Sequence, residues 1–355
     1  MSGRAGSVAD TGLTDTPPQG AGPRAAPLGF LALLLIVTVL FTAGLGRYTI
    51  DLPTLLKVLA SRFMPVDVSW PPSVETVLFK VRLPRIGVAM LVGAALATSG
   101  ASFQGVFRNP LVSPFILGVS AGAGFGAALA ILAGGSALAV QLSAFAFGAL
   151  AVVVAIVLSR TYNSNPTLVL VLSGIIVGGV FTALLALLKY TADPDNKLPV
   201  IEYWLMGSLS SARPAVLAGL AIVTLPVMAL VLALRWRLNL LAFGDDTAHA
   251  LGINVKRERL IHVALATVLA SAAVAVCGIV GWVGLVVPHL ARLLVGPDHV
   301  RLIPTTLLLG AIFVLIVDTL ARTLTASEIP LGIVTALLGA PVFALLLRRG
   351  ERAWV

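Results

Sequence analysis

The residues able to do chemistry fall in three polar stretches of an otherwise apolar text. In the first, Arg82-Leu83-Pro84-Arg85, two guanidiniums stand three positions apart beside a proline that stiffens their presentation. Such planar forks suit bidentate pairing with carboxylates, although arginines here could also anchor a helix end among lipid headgroups. The second runs from Gly244-Asp245-Asp246 to Ala250-Leu251-Gly252, with two acids where a short helix would begin and its dipole would favour them. The third, Gly281-Trp282-Val283-Gly284-Leu285-Val286-Val287-Pro288-His289, crowds helix breakers around one histidine.

What is missing narrows the chemistry further. None of the five lysines follows a glycine, so the chain has no G-x-x-x-x-G-K-[ST] phosphate loop and does not hydrolyse ATP itself. There is no H-E-x-x-H, and His249, His262, His289 and His299 lack metal-ligand spacing, so no metal or other cofactor is expected. Cys277 is the single cysteine and lies in an apolar run, where it packs as a small hydrophobe. Ionisable residues are almost absent from the apolar runs: Asp318 stands near a helix end, and Gln104 is merely polar. That counts against the rival reading of a carrier driven by an ion gradient, which needs such groups to hand ions across. An intramembrane enzyme is more remote still, for want of any catalytic constellation.

The elements that must position these stretches are membrane helices. Hydrophobic residues make up 58% of the 355, charged residues 11%, and mean hydropathy is +1.03. A soluble domain carries about 25% charged residues. The net charge of +9 would suggest nucleic acid in a soluble protein, but here the basic residues lie between apolar runs, so no nucleic-acid partner is expected.

Charge-free runs mark the spans. Leu28–Gly46 is the first and Ile86–Phe107 the second. Asn109–Ser159 is too long for one helix and divides at Gly134-Gly135-Ser136. Thr161–Leu188 and Pro214–Leu234 follow. Leu260–Ala291 reads as a full helix and a broken one, and Leu302–Val317 and Ile329–Leu347 complete the set. At about 20 residues per span, this predicts an all-α integral membrane protein of about ten transmembrane helices in one bundle. An even count puts both termini on one side. With both cytoplasmic, fourteen basic residues lie inside and ten outside, a bias in the expected direction. Gly- and Ala-rich spans such as Gly93-Ala94-Ala95 predict close helix packing in lipid. Residues 1–27, rich in Gly, Ala, Pro, Ser and Thr, are expected to form a disordered tail; residues 28–355 form the membrane domain.

Taken together and in order, these stretches resemble one family. The matching text also includes Leu91-Val92-Gly93-Ala94-Ala95-Leu96-Ala97, Ser99-Gly100-Ala101, Gln104 and Arg108-Asn109-Pro110-Leu111. Asp298-His299, Glu328-Ile329-Pro330-Leu331-Gly332 and Gly339-Ala340-Pro341-Val342-Phe343 extend it. From about Arg82 to Arg349 the chain resembles the FecCD-type permeases of iron-siderophore, haem and cobalamin ABC importers.

The resemblance implies a multi-pass subunit of the bacterial inner membrane. It works with a second permease subunit (the same or a paralogue), a cytoplasmic ABC ATPase dimer and an extracytoplasmic substrate-binding protein. Ferric siderophore is the expected solute, with cobalamin or haem as alternatives. By the same resemblance, Arg82, Arg85 and Arg322 meet acidic residues of the binding protein. Gly244, Asp245, Asp246, Ala250, Leu251 and Gly252 form the coupling segment seated on the ATPase. Asn109 and Thr167 are candidates for the cytoplasmic gate, though turn formation explains Asn109-Pro110 equally well. Replacing Arg82 and Arg85 by Glu is expected to weaken docking and leave the fold intact.

Overall fold

The computed structural model describes residues 27–46, 48–161 and 166–350. The expected tail of residues 1–27 lies, apart from Pro27, outside them. The regular secondary structure of the described residues is helical, with no strand among them.

The chain opens with α1 (Pro27–Gly44) and a short α2 (Leu52–Ala60), whose first turn is capped by Asp51 accepting from the Thr54 N–H. A four-residue α3 (Pro72–Glu75) widens into a π turn (Thr76–Arg82) that runs on into α4 (Leu83–Phe107). The widened turn falls where Pro84 removes a donor from the ladder and its ring crowds the preceding turn, and the Leu83 N–H reaches back to the Leu78 carbonyl. After a 3-10 turn (Pro114–Leu117) come α5 (Val119–Leu132), α6 (Ala137–Ser159), α7 (Pro166–Thr191), α8 (Lys197–Met206) and α9 (Pro214–Ala242). The small α10 (Asp245–Ala250) precedes α11 (Val255–Cys277), α12 (Val283–Val295), α13 (His299–Thr323) and α14 (Leu331–Gly350). The Gly134-Gly135-Ser136 turn separates α5 from α6 as expected: Gly134 takes φ +72°, and Ser136 caps the Ala139 N–H at 3.3 Å.

The expected count of about ten transmembrane helices is corrected. Among the described residues six helices are long and apolar enough to span: Pro72–Phe107, Ala137–Ser159, Leu168–Thr191, Pro214–Ala242, Val255–Cys277 and His299–Thr323. Four more apolar helices are shorter: Leu28–Gly44, Val119–Leu132, Val283–Val295 and Leu331–Leu346. The error lay in equating a charge-free run with a helix of the same length. Residues 109–118 spend ten uncharged positions on a turn and a 3-10 segment, leaving α5 only 14 residues. At 1.5 Å per residue that is about 21 Å against a hydrocarbon core of about 30 Å. The cytoplasmic placement of both termini rested on the count of ten and is not retained; residues 1–26 and 351–355 lie outside the described residues.

The core is built around α4, buried at twenty of its 25 positions and packed by α13, α11, α9 and α12. Two glycine contacts set this geometry. A methyl group on Gly93 would stand 2.1 Å from the Gly310 carbonyl oxygen, and one on Gly100 would stand 1.9 Å from that of Gly284. Backbone therefore meets backbone on two sides of α4, which is how helices associate in lipid, where expulsion of water no longer drives them together. The outer helices α6, α7 and α9 carry exposed Val, Leu and Ile, as a lipid-facing surface requires.

Candidate functional site

Arg85 lies in the first turn of α4 and Arg108 just past its last residue, so α4 joins two clusters of charge about 35 Å apart.

In the first cluster, Arg82 and Arg85, three positions apart on one face, both turn inward. Arg85 fills both of its bidentate edges. Nε and Nη2 donate to Asp318 at 3.1 and 2.8 Å, while Nη1 and Nη2 donate to Glu328 at 2.8 and 2.9 Å. The two carboxylates differ sharply in exposure, the Asp318 side chain at 2% and Glu328 at 31%. Arg82 donates to the carbonyls of Ala43 and Gly44 at 2.6 and 3.2 Å, and to that of Tyr48. Arg322 donates to the carbonyls of Leu45 and Thr42 at 3.0 and 2.9 Å, with its Nε 3.9 Å from Asp318. The last carbonyls of a helix have no intrahelical partner and carry the negative end of its dipole. Two guanidiniums thus cap the end of α1. A cavity of about 210 Å³ opens beside the cluster, lined by Tyr48, Val81, Arg82, Arg85, Arg322 and Glu328 among others.

The second cluster holds the predicted coupling segment. Arg108 ends α4 in the left-handed region (φ +50°) and donates from Nη2 to Asp245 Oδ1 at 3.2 Å. Arg259 of α11 grips the same carboxylate at 3.1 and 3.0 Å. Asp245 is 35% exposed and Arg259 only 9%. Gly244 (φ +105°) turns the chain into α10 and Gly252 (φ +77°) turns it out, so the glycine frame is a backbone requirement. Asp245 and Asp246 occupy the first turn, and Ala248 is buried. Phe243, Asp246, Ala250 and Leu251 are exposed.

Of the gate candidates, Asn109 closes a local turn, its Oδ1 accepting from the Leu111 N–H at 2.9 Å. Thr167 stands in the first turn of α7, and its side chain lies outside the described residues.

The chain matches the profile of the FecCD transport family over residues 34–349. It belongs to that family. Among curated relatives, the molybdate import permease of Haemophilus influenzae is 42% identical over 91% of this chain and 95% of its own length. The haemin transport permease of Yersinia pestis is 39% identical over 92% and 96%. A solved structure described as a metal-chelate type ABC transporter in an inward-facing conformation matches with TM-score 0.82 at 40% identity, covering 91% of this chain and 98% of that one. The chain is therefore an ABC-transporter permease subunit, a multi-pass membrane protein of the bacterial inner-membrane kind whose role is transport rather than catalysis.

This FecCD permease also holds polar links that the sequence reading missed. Asn239 of α9 donates to Asp298 Oδ1 at 2.6 Å and accepts from the His299 N–H at 2.8 Å, pinning the start of α13. Burial alone would raise the Asp298 carboxyl, but hydrogen bonds from the Val300 N–H and from Asn239, with Arg301 nearby, hold it below the usual value. Gln104 accepts from Arg292 at 2.9 Å and donates to the Gly284 carbonyl at 3.3 Å. Asp318 and Glu328, the partners of Arg85, were likewise missed as site residues. An aspartate inside an apolar run is costly without a counter-charge, and that signal pointed to Asp318.

Proposed function

We propose that this chain is the permease subunit of a binding-protein-dependent importer for a metal-bearing solute, working with a cytoplasmic ATPase dimer and a second permease subunit. The observation that carries the reading is the double ion pair of Asp245. It ties a small, partly exposed helix to α4 through Arg108 and to α11 through Arg259. A helix seated on a moving ATPase transmits force only if its attachment to the bundle is stiff. In this reading Gly244–Gly252 faces the cytoplasm and contacts the ATPase through the exposed Asp246 and Leu251, with the exposed Phe243 just before it. The opposite end of α4, with Arg82, Arg85 and Arg322, faces outward and receives the acidic surface of the binding protein. Asn109 and Thr167 remain the proposed cytoplasmic gate positions.

Ferric siderophore is the solute we propose first, with haem and cobalamin chelates in the same class. Molybdate is the second reading, favoured by the 42% identity to a molybdate import permease. Uptake of labelled ferric siderophore, haemin, cobalamin and molybdate by cells with and without this chain tests both. Loss of one uptake only names the solute; unchanged uptake of all four overturns the proposal.

A further inference from the structure

Arg85 has no free edge. One fork holds Asp318 and the other Glu328, so a third carboxylate can pair bidentately only by displacing one of them. The two are not equally displaceable. Asp318 is almost wholly buried on α13 and also lies near Arg322. Glu328 is about a third exposed and sits in the connection 324–330 between α13 and α14, where residues 324–327 are exposed. The cluster also carries three guanidiniums against two carboxylates, and its cavity is bordered by Glu328 itself.

From these relationships we infer that Glu328 is an exchangeable occupant of Arg85, holding the edge that an acidic side chain of the binding protein takes when it docks. The inference rests on the docking reading above. Exchange of one carboxylate for another never leaves the Arg85 fork empty, so docking does not incur the cost of an unpaired, largely buried guanidinium. Departure of Glu328 removes the ion pair that joins the connection 324–330 to α4. Backbone hydrogen bonds still hold the connection, among them Leu324 N–H to the Leu320 carbonyl at 3.0 Å, Ile329 N–H to that of Ala321 at 2.9 Å and, just beyond it, Leu331 N–H to that of Gly207 at 2.9 Å. Glu328 is then a built-in competitor that sets how tightly an acidic partner is held.

The test uses the full chain in lipid nanodiscs. Cys277 is the one cysteine and is buried, so Ala326→Cys takes an environment-sensitive maleimide dye selectively beside Glu328. A hexaglutamate peptide serves as the carboxylate probe and hexalysine as its control. Glu328→Gln keeps the side chain's shape and leaves the Arg85–Asp318 pair in place. Hexaglutamate is expected to half-saturate the dye response at a concentration about five-fold lower in Glu328→Gln than in the parent, with no response to hexalysine. Equal half-saturation in the two overturns the exchange while docking at this end stands. No response in either overturns the exchange and docking through Arg85 together.

Discussion

Arg108 and Asp245, 137 positions apart in the chain, are joined by a 3.2 Å ion pair where α4 leaves its helical path. Arg259 completes the arrangement from α11, so one carboxylate fastens the short α10 to two long helices. Within the Asp245-Asp246 pair, Asp245 makes these contacts with the bundle, whereas Asp246 is exposed.

Asp245→Asn should therefore uncouple more than it unfolds. Asp245 is partly solvated, so its loss costs about 1 kcal/mol of stability. Transport driven by ATP in proteoliposomes is expected to fall several-fold while the thermal midpoint shifts little. Wild-type transport by Asp245→Asn would remove α10 from the coupling path.

The two acids on Arg85 should separate in a stability measurement. Asp318→Asn strips the buried counter-charge of Arg85 and Arg322, a change in the class that costs about 3–5 kcal/mol. Glu328→Gln affects a partly exposed pair and should cost under about 1 kcal/mol. Thermal unfolding in detergent reads both. Similar shifts for the two would contradict the burial difference.

Replacing Arg85 by Glu is now expected to damage the fold, contrary to the expectation drawn from sequence. The new carboxylate would sit against Asp318 and Glu328, three acids in one largely buried cluster. Arg82→Glu would strip two carbonyl contacts from the end of α1 and a third from Tyr48. A docking test by charge reversal is thus confounded, and a sharply lower yield of monodisperse protein would reveal it.

Gly100→Val should prevent α4 and α12 from closing. Even a methyl group at this position would overlap the Gly284 carbonyl, and neither backbone has room to give. Gel filtration of the variant is expected to show aggregate in place of folded protein; a normal profile would mean that this contact can relax.

Within the fold, Arg322→Ala should loosen the end of α1. Its guanidinium caps the Thr42 and Leu45 carbonyls. Faster hydrogen exchange confined to residues 42–50 is the expected result, and unchanged exchange there would show that Arg82 caps α1 alone.

Much of this protein was legible in its residues. Apolar runs, the glycine frame of Gly244–Gly252 and the order of the polar stretches depend on local composition and backbone preference, and both are written along the chain. The helix count was not, because a charge-free run does not reveal how many of its residues a turn consumes, as at residues 109–118. Nor were the partners of the arginines. Arg82 and Arg85 read as a presented pair, yet each is spent inside the molecule on groups 34 to 243 positions away. Which carboxylate or carbonyl meets a guanidinium is decided by the packing of α1, α4 and α13. Burial then sets the value of each contact, making Asp318 a permanent partner and Glu328 a displaceable one. Sequence by itself determined that the chain is a helical membrane protein with these charges at these positions; only the tertiary structure decided which of them face each other, since pairing across lipid depends on distances that no local pattern encodes.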